Sequence, residues 1–376
     1  MSKIINNKPD LLIIGSGPVG CVIAERAAKI KKWNVLLVEK RNHIAGNCYD
    51  EKNTNGVLIH KYGPHYMRFK KKKIFNYVSK FTKWINGNYI VKSSIKGKLY
   101  PIPINLTTLE KFFNKRFKNQ AEAKKFINSK RIRINRIKNS EDFILSKLGK
   151  EIYDNFYKNY TIKQWGIHPK NLDKSIVGRL PIRFNRDPFY VSQKLKVMPK
   201  NGYTSLFKKM INNDKIKICL NTSYEDIKGH VKPKIATIYT GPPDTFFKYK
   251  YGKLQWRSLE FKFETKKKEK IQECVQINFP NDKKYTRKVE IKHVTKQKSK
   301  YSTLSYEFPK SKGDPYYPIN DKRNIGIFKR YEKLIKKLEK KHIYFEGRLA
   351  KYKYLNMDEV IERALNLFNK LKRKYN

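Results

Sequence analysis

Three glycines and one carboxylate carry the clearest chemistry in the chain. Gly15, Gly17 and Gly20 fall in GSGPVG, directly after the apolar run Leu11 to Ile14, and Glu39 closes a second apolar run, Val35 to Val38. A glycine at the first position permits a tight turn, the second lets backbone approach a pyrophosphate, and the third lets a helix pack against a strand. The diphosphate would sit on unpaired helix N–H groups, and Glu39 would accept from a ribose hydroxyl. Three further groups could work beside such a ligand. His65 follows Gly63-Pro64, a turn that could aim it at a cofactor ring or merely bond it within a loop. Phe156, Tyr160 and Trp165, in FYKNYTIKQWG, offer faces that can stack on a base or fill a core. Arg179, Arg183 and Arg186 lie among prolines in the next stretch, and guanidinium forks suit phosphate oxygens.

The elements that must hold these groups follow from the apolar periodicity. Val22, Ile23, Ala27 and Ile30 predict an amphipathic helix after Gly20. Asn42 to Asn47 reads as a loop able to close over a nucleotide. Residues 85–104 read as short strands about a turn at Lys96 to Lys98. The helical pattern then runs from Thr107 to about Tyr160. Beyond residue 187 the chain turns strand-like, in YVSQ, KIKICL and KIATIYTGP, with a buried strand at Ile235 to Thr240. Alternation over residues 254–308 predicts an antiparallel sheet containing Arg287, and an amphipathic helix is expected from about Asp358 to Lys372.

Charge separates the function classes. Lys plus Arg number 86 against 32 Asp plus Glu, a formal +54, which would draw any polyanion. The basic residues are scattered and no nucleic-acid module is readable, so nucleic acid is not the expected partner. Abundant Lys, Asn, Ile, Tyr and Phe match an AT-rich coding sequence. The four cysteines show no close pairing, so neither a metal site nor a disulfide framework is expected, and a reducing, cytoplasmic location fits. The first ten residues lack the apolar core of a leader, and no run reaches membrane-spanning length.

The ordered motifs GSGxxG, EKRNHIxGN, IHKYGxH, YTxKQWG, LPxRF, NGYT, IYTGPxD, WRSLxFxxE, YTRxxExKH, DPYYPxND and GRLAxYKYxxMxEV extend from about Asp10 to Lys370. In that order they resemble the bacterial-type UDP-galactopyranose mutases, a flavoenzyme family. The resemblance implies an α/β fold with a discontinuous Rossmann-like FAD domain (1–84, 198–242, 323–376). A mostly antiparallel sheet domain (85–104, 181–197, 243–322) and an inserted helical lobe with a mobile substrate loop (105–180) would complete it. It implies conversion between UDP-galactopyranose and UDP-galactofuranose without net redox, N5 of reduced FAD attacking the anomeric carbon and displacing UDP. NADPH or NADH would be the reductant, and a homodimer is compatible with it. An enzyme acting on another UDP-sugar, or a flavin- or polyanion-binding homologue without catalysis, are the alternatives.

Carried over, Gly15, Ser16, Gly17, Gly20, Glu39, Lys40, Asn47, Gly347, Arg348 and Met357 would hold FAD, with His65 beside its ring. Phe156 and Tyr160 would meet the uracil, Thr161 would also contact the substrate, and Trp165 would ride the mobile loop. Arg183 and Arg287 would grip the diphosphate, and with His65 they form the expected catalytic set. Tyr190, Tyr316 and Tyr354 would donate hydroxyls to it. The chain departs from the pattern at Arg68, where a histidine is usual, at Leu355-Asn356 in place of Tyr-Asp, and at Ala45, Asn201 and Glu346, where glycines are usual.

Overall fold

The computed structural model describes residues 8–375, so most of the stretch read for a leader lies outside the described residues. Leu11–Ile14 (β1) is buried at every position, as is Val35–Val38 (β2), and between them Pro18–Lys31 (α1) starts with proline at its first turn. Proline is suited to that place, because its missing N–H would be unpaired there anyway. Val22, Ile23 and Ala27 of α1 are buried as expected, whereas Ile30 is 44% exposed, since α1 ends one residue later beyond the edge of its support.

Five parallel strands form the central sheet, in the order Ile216–Cys219, β2, β1, Ala236–Tyr239, Ile343–Phe345. Strands buried on both faces must be apolar throughout, which is why β1 and β2 were readable; Ile216–Cys219 is an edge strand that exposes Lys217 and Ile218, and Ile343–Phe345 is not among the expected strands. α1 and the helix Met357–Lys374 cover one face. Tyr239, Phe246 and Phe345 cluster on the other.

The second sheet has seven strands and is antiparallel except where Gln276–Asn278 runs beside Val91–Ile95. Its longest pair is Trp256–Lys266 with Ser302–Lys310, and Arg287 of the neighbouring strand stands opposite Glu307 in the register, both lining one cavity. Tyr190 to Gln193 makes no strand; Phe189 forms a single bridge with Ile90, and the strand is instead Leu195–Pro199. That strand pairs with Met67–Phe69 and Trp84–Asn86 in a separate three-stranded sheet.

The helical lobe is built from Leu106–Phe113, Gln120–Lys130 and Ser140–Ile152. Asn105, Asn119 and Asn139 cap them, each side chain accepting from a backbone N–H of the first turn. A π-helical segment, Tyr153–Lys158, then feeds the helix Asn159–Trp165. Among the described residues no helix is long and apolar enough to cross a membrane.

Candidate functional site: two cavities sharing a wall

The glycine turn works by absence of side chains. At Gly20 an added Cβ would lie 2.0 Å from the Gly15 carbonyl oxygen, so α1 can sit this close to β1 only with glycine there. Gly15 has φ +100°, a conformation favouring glycine. An added Cβ at Gly17 would meet nothing within 4 Å, and Gly17 borders a cavity of about 400 Å³ at the amino end of α1.

Glu39 and Lys40 line the same cavity. The Glu39 carboxylate accepts from Ser16 N at 2.9 Å, from Ser16 Oγ at 2.8 Å and from Arg41 N at 3.1 Å. Ser16 is fully buried and acts from behind, tying the turn to the carboxylate. Arg41 donates to Asn47 Oδ1 at 2.9 Å and to Asp314 Oδ2 at 2.7 Å, linking this lobe to the segment that carries Tyr316. Gly347, Arg348 and Met357 close the far side. The bare Gly17, the free helix end and the Glu39 carboxylate fit a dinucleotide. Arg348, whose buried Nε has no hydrogen-bond partner, adds a donor.

A second cavity, about 190 Å³, shares Asn47, His65, Arg348, Leu355 and Met357 with the first. Arg68, Arg179, Arg287 and Arg348 all line it, and Glu307 is the one carboxylate among its lining residues. Arg287 Nη2 pairs with Glu307 Oε1 at 2.8 Å, and Arg287 Nε has no hydrogen-bond partner among the described residues. Burial opposes the Arg287 charge, yet Glu307 and the surrounding tyrosines hold its pKa well above the ordinary value. Burial raises the Glu307 carboxyl, with Arg287 opposing. Tyr190, Tyr316 and Tyr354 also line this cavity. Arg179 and Arg348 lie 5.0 and 5.3 Å from the Tyr354 ring centre, and Tyr317 stacks on it at 6.0 Å. Such a wall of guanidinium and phenol donors suits a diphosphate.

Arg183 stands elsewhere. Its guanidinium is 8% exposed and donates to Phe189 O at 2.5 Å and Ser192 Oγ at 3.3 Å, with Asp187 Oδ2 at 3.4 Å. It therefore pins the turn that presents Tyr190, and Arg179 takes the cavity position expected for it. The reason is local: Asp187, four residues on, supplies a carboxylate that Arg179 lacks. Arg183→Ala is accordingly expected to lower stability by roughly 1–3 kcal/mol through its lost bonds while turnover stays within about tenfold. Denaturant midpoints beside kcat values check both halves.

The aromatic segment is also outside the lining. Phe156 is buried edge-on against Tyr100 and Phe112, at 5.6 and 5.2 Å. Trp165 packs 5.7 Å from Tyr317, and Thr161 is buried. Tyr160 is half-buried. Tyr160 lies near enough to interact with Arg287, Tyr190 and Arg179, and Gln164 Nε2 lies 3.5 Å from Glu307 Oε1.

His65 borders both cavities, and its backbone N–H donates to His60 Nδ1 at 3.0 Å. His60 is 4% exposed and burial lowers its pKa to about 3. Unfolded, it would protonate near 6.5, so the unfolded chain holds more protons between those values. The contribution of this group to stability, shared by His65 whose pKa burial also lowers to about 3, is therefore fully kept above about pH 6.5 and lost as pH drops toward about 3. Urea midpoints at about pH 7.5 and about pH 5 should differ in the parent, and His60→Asn should narrow the gap.

A parallel sheet with a glycine turn at a helix start, opening onto a cavity that abuts an arginine-rich one, is the architecture of a Rossmann-like nucleotide-binding protein. The amino-terminal part, residues 13–81, matches the NAD(P)-binding Rossmann-like domain, and residues 155–354 match the model of UDP-galactopyranose mutase. The chain belongs to the UDP-galactopyranose mutase family, a family of isomerases. It is 35% identical to a probable UDP-galactopyranose mutase of Klebsiella pneumoniae, the alignment covering 96% of this chain and 94% of that one. It is equally 35% identical to a dTDP-fucopyranose mutase of Escherichia coli, over 94% and 96%. In fold it matches the crystal structure of a reduced UDP-galactopyranose mutase with a TM-score of 0.76, at 16% identity over 98% and 94% of the two chains.

Proposed function

We propose that this protein interconverts UDP-galactopyranose and UDP-galactofuranose with FAD in the first cavity and the nucleotide sugar in the second. The observation that supports the reading is the shared wall of His65, Arg348, Leu355 and Met357, across which a dinucleotide's reactive end would meet a sugar diphosphate's. Reduced FAD, when bound, supplies the nucleophile, N5, that meets the anomeric carbon. The chain does the rest. Arg179, Arg287 and Arg348 hold the diphosphate and stabilise the negative charge that UDP gains as the bond from the anomeric carbon to its phosphate oxygen breaks. The tyrosines orient the sugar and keep UDP beside it for recapture.

Dithionite-reduced protein given UDP-galactofuranose should release UDP-galactopyranose, resolved by chromatography. Flavin-loaded, reduced protein that leaves the substrate untouched would sink the reading. The equal identity to a dTDP-fucopyranose mutase favours a second reading, in which another nucleoside-diphosphate sugar is the substrate. Parallel assays with dTDP-fucopyranose separate the two by kcat/KM.

A further inference from the structure

Arg68 and Asn356, two of the positions at which the chain departs from the pattern it resembles, touch each other. Arg68 Nη2 donates to Asn356 Oδ1 at 2.6 Å, from the strand Met67–Phe69 to the amino-terminal cap of Met357–Lys374. The amide is itself fixed, because Asn356 Nδ2 donates to Glu359 Oε2 at 3.1 Å and Lys70 occupies Glu359 Oε1 at 2.7 Å. An amide oxygen accepts a hydrogen bond but carries no charge, so the bond aims the guanidinium without neutralising it. Leu355 and Met357, on either side of Asn356, both belong to the wall between the cavities. The cavity's carboxylate, Glu307, is already engaged by Arg287. A cation held by a neutral amide thus stands beside that wall, while the nearby Glu359 carboxylate is shared between Asn356 and Lys70.

We propose that the Arg68–Asn356 pair is a positioning device that stabilises negative charge on a flavin ring at the shared wall and so biases the cofactor toward its reduced anion. This rests on the flavin reading above. Two electrons and one proton, supplied by an external reductant, convert the oxidised ring to that anion. A nearby guanidinium favours the product over the neutral starting ring. Asparagine matters because an aspartate at the same place would pair with Arg68 and cancel its field.

The test is the midpoint potential of the flavin-loaded protein, read by equilibrium with a reference dye during dithionite reduction. Asn356→Asp, nearly isosteric, and Arg68→Met should both shift the potential negative, while Arg68→Lys should return most of the shift. The pH at which reduction begins to take up one proton rather than two should also rise in Arg68→Met. Flavin uptake with potentials and pH dependence unchanged in both variants would overturn the inference and leave the mutase reading standing. A parent protein that takes up no flavin, followed by its fluorescence, would overturn both.

Discussion

Arg287→Ala is expected to lower kcat by about 10²- to 10³-fold, because it removes a buried, charged donor from the place where UDP would gain charge. Arg287 is held at the cavity by Glu307, 2.8 Å away, and its unpartnered Nε is a donor still available to a ligand. The substitution has a second effect that must be separated from the first. It leaves Glu307, 2% exposed, without its cation, and breaking a buried pair from one side costs about 3–5 kcal/mol. The double variant Arg287→Ala/Glu307→Gln relieves that penalty while still lacking the donor. Recovered stability with turnover still depressed is the expected result. Turnover within about tenfold of the parent in the double variant would remove Arg287 from the chemistry.

Gly17→Val should abolish cofactor uptake in a protein that folds normally. At Gly17 φ is −68°, open to any residue, and an added Cβ meets no protein atom within 4 Å, so the first atom of the side chain clashes with nothing in the folded chain. The same room is where a pyrophosphate would approach the amino end of α1. Loss of flavin or dinucleotide binding in titration, with an unchanged melting temperature, is expected. Retained affinity would mean that the ligand lies elsewhere. Gly20→Ala makes the opposite control: its Cβ would fall 2.0 Å from backbone, so it should damage folding and binding together.

The parallel sheet was legible because strands covered on both faces must be apolar at every position. Leu11–Ile14 and Val35–Val38 announce themselves by that alone, and Ala236–Tyr239 does so with the help of the Gly241-Pro242 turn that follows it. Leu195–Pro199 did not, since it alternates little and is defined by partners more than a hundred residues upstream. The site divides along the same line. The glycine turn is local backbone geometry, and sequence spacing carries it. Choosing between Arg179 and Arg183 required knowing which guanidinium finds a nearby acceptor, and Asp187 with the Phe189 carbonyl decides it. Glu307 looked like one more polar residue in an alternating strand. The contact between Arg68 and Asn356 spans 288 positions and leaves no trace in local spacing.

The five strands of the central sheet arrive from three distant stretches of chain, with Ile343–Phe345 supplying the last. During synthesis the ribosome must therefore pass Phe345 before the nucleotide cradle has its outer strand, long after β1 and β2 have emerged. Until then the apolar edge beside Ala236–Tyr239 stays open to chaperones and to stray pairing, so maturation should be slow relative to proteins of local topology.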